Sequence, residues 1–403
     1  MLTLIGILLF VFLLMMSVAI HEFGHLLTAK AFGMKATEYF IGFGTKIWSF
    51  RRGETEYGLK AIPAGGYVKI VGMSDLETVS EADAPRAFYR FSAPRRLIVL
   101  SAGSVSHMLI GFVLFVIVLC GFGTSALSTS LDNVAACIPA AGSTAPCGPA
   151  DPPSPARAAG LQAGDRILDV DGKPVHKWED ATRAIRAHGP GPLPITVQRG
   201  EQTLTLTPEL VSRSRPDLDH PQRNVQVGVL GVEPQEHKVH AGPIAGAHRS
   251  ITLIGETLKA SVSALWHIPQ KIPNLISSLD GGQRDKQGLV GVVGAARISG
   301  ETFSTHHATF SDRISSVLLN IAGLNIFIGL FNALPLLPLD GGHMAVVGYE
   351  SSRRRLYRRI GRADPGRVDM TKLLPMAYGF LILVIGLTVL LVAADLVNPV
   401  TIS

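Results

Sequence analysis

Long apolar blocks alternate with polar stretches along the chain. Four blocks have the length and apolarity of membrane-crossing helices: Leu2–Lys30, Leu97–Phe122, Ile314–Leu339 and Leu373–Val397. About 20 apolar residues at roughly 1.5 Å each cross the hydrocarbon layer. Leu2 to Ile20 carries hydroxyls only at Thr3 and Ser17 and no charge. This block is too long for a secretion signal and lacks a basic start, so it reads as a retained span.

Between the first two spans, Ala36–Val71 reads as short strands broken by Gly42-Phe43-Gly44, Arg52-Gly53 and Pro63-Ala64-Gly65-Gly66. Gly53 sits where two β-like runs turn back on each other, which predicts a hairpin. Gly72–Arg90 is polar and reads as a loop. After the second span, Thr124–Pro155 shifts to Ala, Ser, Pro and Gly, the composition of a linker. A compact β-rich module follows, with strands at Ile167–Val170, Leu193–Arg199, Gln202–Thr207 and Val225–Val232 and a helix at Trp178–Ala187. Ala245–Leu265 has the spacing of a surface helix. Gly281–Gly288 reads as a loop, and Leu289–Ile298 is apolar but too short to span.

These elements predict a polytopic α-helical membrane protein with a membrane-associated β-hairpin and an external β-rich module. The expected division is residues 1–123 as an N-terminal membrane core and 124–235 as the module. Residues 236–313 form an interfacial segment, and 314–403 a C-terminal membrane core.

Composition agrees with that picture, at 47% hydrophobic and 17% charged residues. The net charge of +6 is concentrated beside the spans. Arg353, Arg354, Arg355, Arg358, Arg359, Arg362 and Arg367 lie between the third and fourth. Lys30, Lys35, Lys46, Arg51, Arg52, Arg95 and Arg96 lie between the first and second. The positive-inside rule places both loops in the cytoplasm, with the termini and Gly123–Arg313 outside. Arginines so placed set topology and touch anionic membrane lipid, which argues against a nucleic-acid partner. Cys120 falls in a span and reads as an apolar filler. Cys137 and Cys147 lie in the external stretch, where an oxidising compartment would allow them to pair.

The chemistry is concentrated at the end of the first span, in His21-Glu22-Phe23-Gly24-His25. Polar groups at membrane depth need partners. Histidines four apart share a helical face and can hold one zinc ion, with the intervening glutamate reaching a bound water. A catalytic zinc takes three protein ligands and leaves one position open. Asp340 is the candidate third ligand. It follows Asn332-Ala333-Leu334-Pro335-Leu336-Leu337-Pro338-Leu339, whose two prolines cannot continue an ordinary helix. Irregular backbone at membrane depth lines protein or a water-filled cavity. In the second span, His107 reads as a hydrogen-bonded histidine inside the bundle rather than a ligand.

With these residues in place, the chain resembles the site-2 protease family of intramembrane zinc metalloproteases. It is most similar to the bacterial regulator-of-sigma-E type with an external PDZ domain, in its actinobacterial branch. His21, Glu22 and His25 match the family's first-span motif. Asn332–Gly341 is similar to its Asn-x-x-Pro-x-Pro-x-Leu-Asp-Gly pattern, with two leucines here between the prolines. Asn325 matches an upstream asparagine, and Gly65–Lys69 matches a Gly-Gly-Tyr-Val-Lys stretch that implies a reentrant hairpin. Ala159-Gly160-Leu161 with Gly164-Asp165 resembles a PDZ start, and Gly291–Gly294 resembles a segment preceding the third span. Where the family often has Gly-Pro-x-x-Asn, this chain has Gly103-Ser104-Val105-Ser106-His107.

The resemblance implies a multi-pass cell-membrane protease, with its active site toward the cytoplasmic side and its PDZ domain outside the cytoplasm. It implies Zn²⁺ held by His21, His25 and Asp340, with Glu22 as the catalytic acid/base. The expected substrates are single-span membrane proteins first trimmed by an upstream site-1 type protease: anti-sigma factors, with signal-peptide remnants as a second class. Asn332 is a candidate oxyanion donor and Asn325 a further substrate contact. Gly66, Tyr67 and Val68 lie on a strand edge that could pair with an unwound substrate. The competing readings are a proton-relaying transporter and a non-catalytic PDZ scaffold.

Overall fold

The structure is a computed structural model. It describes the chain apart from residues 74–77, 140–146, 149–150, 219–222, 280–283, 285–287, 306–308 and 401–403. Most of the expected Gly281–Gly288 loop therefore lies outside the described residues. The chain divides into two compact units, Met1–Phe122 with Ala241–Ser403, and Gly123–His240.

The first unit opens with α1, Leu2–Ala31. Two long strands follow, β1 (Ala36–Arg52) and β2 (Thr55–Ile70), rather than the short strands expected. They turn at Gly53, whose φ of 63° suits glycine in a two-residue hairpin turn. The strands then fold on themselves. Residues 36–41 pair with 66–70 on one side and with 56–59 on the other, while 46–52 pair with 55–60. Two strands thus make a four-ribbon sheet with 66–70 at one edge. The fold-back passes through Gly42, at φ 90°, where an added Cβ would lie 2.7 Å from the Lys60 carbonyl oxygen.

Two 3₁₀ turns lead into α2, Ala93–Val116, which ends in a π-helical turn at Ile117–Phe122. Beyond the second unit, this first unit resumes. Its helices α5 (Pro243–Leu279), α6 (Val292–Ser304), α7 (Phe310–Asn332), α8 (Asp340–Arg359) and α9 (Leu374–Val397) complete the bundle. Among the described residues, four helices are long and apolar enough to cross a membrane: Leu2–Ala31, Ala93–Phe122, Phe310–Asn332 and Met370–Val397. The third stops seven residues before the expected Leu339, because Pro335 and Pro338 lack the N–H that a continuing helix needs. The surface helix expected at Ala245–Leu265 extends to Leu279 and carries Pro269 and Pro273 in its interior.

The second unit contains β3 (Thr124–Val134), α3 (Pro155–Ala158), β4 (Arg166–Val170), β5 (Lys173–Pro174) and α4 (Trp178–His188). Then come β6 (Gly191–Pro192), β7 (Ile195–Arg199), β8 (Gln202–Leu206), β9 (Glu209–Pro216), β10 (Asn224–Val229) and β11 (Val232–Val239). One sheet runs β11-β3-β4-β7-β8 and a smaller one β10-β9-β6. Ile195 and Val197 alternate on β7, and a register shift between Ile167 and Asp169 brings Ile167 and Val170 of β4 to the same face; together they close over Leu193, Ala181 and Ile185 to form its core. Cys137 and Cys147 are disulfide-bonded, and Cys120 is free.

Candidate metal centre

His21 and His25 lie one turn apart on the buried face of α1, 7% and 6% exposed. His25 Nδ1 lies 2.7 Å from the Val99 carbonyl oxygen. A carbonyl only accepts, so Nδ1 carries the proton and Nε2 keeps its lone pair for a metal. The two Nε2 atoms are 3.3 Å apart.

Asp340 is brought to them by backbone geometry. The chain leaves α7 at Asn332, passes through an irregular segment with a cis Leu337–Pro338 bond, and restarts as α8 at Asp340. Gly341 and Gly342 allow this segment to fold tightly against the first turn of α8. A Cβ on Gly341 would collide with the Ala333 and Leu334 carbonyls, and one on Gly342 would lie 2.6 Å from the Leu337 nitrogen. Asp340 Oδ2 then lies 3.5 Å from His21 Nε2 and 3.3 Å from His25 Nε2.

This triangle fits zinc. Ligand bonds of about 2.0–2.1 Å in a tetrahedral site put ligand atoms roughly 3.3–3.4 Å apart, close to all three observed edges. Asp340 Oδ2 is buried and accepts no well-aligned hydrogen bond, as expected of an atom whose lone pairs are reserved for a cation. Among the described residues, these three alone form such a donor group. Gly103 of α2 lies against the two imidazoles. A Cβ there would collide with His21 Cε1 and His25 Nε2 and would lie 2.7 Å from His21 Nδ1.

Glu22 faces the edge ribbon of the sheet. Its Cγ would be 3.0 Å from a Cβ on Gly66, and the Val68 main-chain amide faces its carboxylate. Tyr67 points across the sheet, donating to Glu38 at 2.6 Å and accepting from Lys60 at 2.8 Å. His107 is 1% exposed and bonds Asn325 Oδ1 at 2.8 Å, with its ring 4.8 Å from that of His21. The Asn325 amide donates to Ser17 Oγ and to the Ile321 carbonyl. Asn325 is thus held inside the bundle, and Asn332 is the last residue of α7.

Several of these groups carry little signal in the sequence. Gly103 stands out there only as the start of the stretch that departs from the Gly-Pro-x-x-Asn pattern. Arg96 and Glu350 form a buried pair at 3.0 Å, and Glu350 also accepts the Val368 N–H. Asp395, 2% exposed in the fourth span, pairs with Arg284 at 2.6 Å and accepts N–H bonds from Gly291 and Gly294. A lone carboxylate in so apolar a helix was itself a signal that a partner had to exist.

Four membrane-length helices and a buried two-histidine, one-carboxylate donor group are the features expected of a multi-pass zinc metalloprotease. Residues 9–363 match Peptidase family M50, and the chain belongs to that family, the site-2 proteases. It is 35% identical to zinc metalloprotease Rip1 of Mycolicibacterium smegmatis over 407 residues, covering 99% of this chain and 98% of the relative. It is 34% identical to zinc metalloprotease Rip1 of Mycobacterium tuberculosis strain H37Rv, covering 98% of each. Metalloprotease MmpA of Caulobacter vibrioides is 27% identical over 90% of this chain and 91% of its own length.

Proposed function

We propose that the chain cuts single-span membrane proteins within the membrane, using Zn²⁺ held by His21, His25 and Asp340 and acid/base catalysis by Glu22. The observation that carries this reading is the triangle of donor atoms at 3.3, 3.3 and 3.5 Å, with Glu22 beside it on the same helix. Zinc, when bound, supplies Lewis acidity and lowers the pKa of a water at its open position. Glu22 takes a proton from the attacking water and returns it to the leaving amine. The Val99 carbonyl keeps His25 in the tautomer that can bind metal. Asn332 is the proposed oxyanion donor; Asn325, expected as a substrate contact, is fully buried and bonded to His107 and Ser17, and is proposed instead to brace the first span.

A helical substrate must unwind before its carbonyls can be attacked. The edge ribbon Gly66–Ile70 offers main-chain groups beside Glu22, and strand addition there would hold the unwound segment. The Gly123–His240 unit is proposed to be a PDZ-type filter outside the cytoplasm that admits substrates already trimmed by a site-1 type protease. Its Cys137–Cys147 bond suits an oxidising compartment. Trimmed anti-sigma factors are the proposed substrates, with signal-peptide remnants second, and the cell membrane is the proposed location.

The test is a cleavage assay on candidate single-span proteins in reconstituted membranes. Glu22→Gln is expected to lose cleavage by at least about 1,000-fold while retaining zinc. Normal cleavage by that variant would sink the mechanism. Removing residues 123–240 is expected to permit cutting of untrimmed substrate, and an unchanged trimming requirement would remove the filter role.

A further inference from the structure

We propose that an arginine-lined cavity at the start of α2 binds the phosphate of an anionic phospholipid headgroup. This site is separate from the metal centre and does not depend on the proteolytic reading.

The cavity has a volume of about 480 Å³, within the range of small-ligand sites. One wall is α8, which presents Ser351, Arg354, Arg355 and Arg358 at i, i+3, i+4 and i+7 spacing. The other wall carries Arg90 and Arg96 around the first turn of α2. Ser92 is the N-cap of that helix, and its side chain makes no capping bond. The N–H groups of Ala93 and Arg95 lie in the first turn and have no intrahelical acceptors, and Pro94 between them has no N–H. Such a helix end attracts anions.

The arginine lining is the second, independent observation. Arg96, 6% exposed, is held by Glu350 at 3.0 Å and lies over the Phe88 ring, which fixes one guanidinium in the wall. Carboxylates do not neutralise the rest. Glu350 is occupied by Arg96 and the Val368 N–H, and Asp364 pairs with Arg354 at 3.3 Å. Arg90, Arg355 and Arg358 have no carboxylate partner among the described residues. Guanidinium forks match phosphate oxygens two at a time, so this lining suits a phosphate rather than a neutral ligand.

The position in the bundle favours a lipid as the source of that phosphate. Asp340 lies near Gly103, through the two histidines, and Glu350 lies at Arg96, so α8 runs antiparallel to the first part of α2. Arg354 to Arg358 therefore extend roughly 6–12 Å beyond Glu350, just past the level where α2 begins. That level is the headgroup layer of a membrane crossed by α2. Tyr89 and Phe91 line the same cavity, and such aromatic rings settle at this interface.

The test uses the full-length protein in nanodiscs of phosphatidylcholine alone or mixed with phosphatidylglycerol. Lipid retained after gentle extraction is counted by native mass spectrometry. Arg355→Gln/Arg358→Gln changes two exposed side chains, and equal melting midpoints in pure phosphatidylcholine verify its fold. Arg51→Gln/Arg52→Gln removes the same charge at the hairpin turn and serves as control. Phosphatidylglycerol retention is expected to fall about tenfold or more in the first variant and to stay unchanged in the control. Equal losses in both variants, or no retention by the unmodified protein, would overturn the site. Inorganic pyrophosphate is titrated in a further arm. If it displaces the lipid at micromolar concentration, a soluble phosphate is the occupant and the lipid assignment fails; indifference to it supports the lipid.

Discussion

Asp340 Oδ2 lies 3.3 Å from His25 Nε2, although the histidine closes the first span and the aspartate follows the third. The pairing exists because the irregular segment after Asn332 folds back against Gly341 and Gly342 and delivers the first residue of α8 to α1. Asp340→Asn preserves shape but removes the charge that balances a dication. Zinc affinity, measured by competition with a chromogenic chelator, is expected to fall at least about 100-fold.

Gly103 makes a second demand on the same site. A methyl group there would overlap both imidazoles, and the His25 ring cannot swing away because its Nδ1 is tied to the Val99 carbonyl. Gly103→Ala is expected to reduce bound zinc, read by elemental analysis, while helix content by circular dichroism stays unchanged. Full zinc occupancy in this variant would show that the histidines are not confined as described.

Val68 tests the strand edge. Proline there removes an N–H that faces Glu22 and is available to a paired segment. Val68→Pro is expected to slow cleavage of a helical substrate about tenfold or more with zinc content unchanged, since one lost strand contact with its neighbours costs over 1 kcal/mol. A parallel loss of zinc would mean that the hairpin itself had misfolded.

The Arg96–Glu350 pair is a structural strut between α2 and α8. Arg96→Met leaves Glu350 buried without its cation, at a cost of about 3–5 kcal/mol. A fall of several degrees in melting temperature is the expected readout. Adding Glu350→Leu is expected to recover most of it, because no uncompensated charge then remains. Failure of the second change to recover stability would place the defect elsewhere.

The β-rich unit carries its own pH dependence. Burial alone would raise the Asp165 carboxyl pKa, but the Arg199 guanidinium at 2.7 Å and the Gln162 N–H hold it below the usual carboxylate value. A carboxyl depressed on folding contributes stability above its unfolded pKa of about 3.9, and that contribution is lost as pH falls through the folded value. Protection of the β7 amides, their exchange rate compared with that of an unstructured chain at the same pH, is therefore expected to fall below about pH 4. In Asp165→Asn the unit is expected to be less protected at neutral pH and to show a smaller acid response.

The apolar blocks and the His-Glu-x-x-His spacing were legible in the sequence because each is local. Helix length follows from a continuous apolar run, and two side chains four apart share a face in any α-helix. The break before Asp340 was legible for the same reason, since proline acts on its own turn. The place where α7 stops was not, because Leu334, Leu336 and Leu337 keep the apolar character of the span after its helix has ended at Asn332.

By itself the sequence determined which segments are long and apolar enough to cross, which residues can bind metal and where the backbone must break. Only the tertiary structure decided that Asp340 meets the two histidines and that Gly103 gives them space. It also decided that the two strands fold back into a four-ribbon sheet, and that Asp395 and Glu350 have Arg284 and Arg96 as partners. The reason is range. Periodicity and propensity act over a few residues, whereas these contacts join segments far apart in the chain, and their distances follow from how the helices and the hairpin pack.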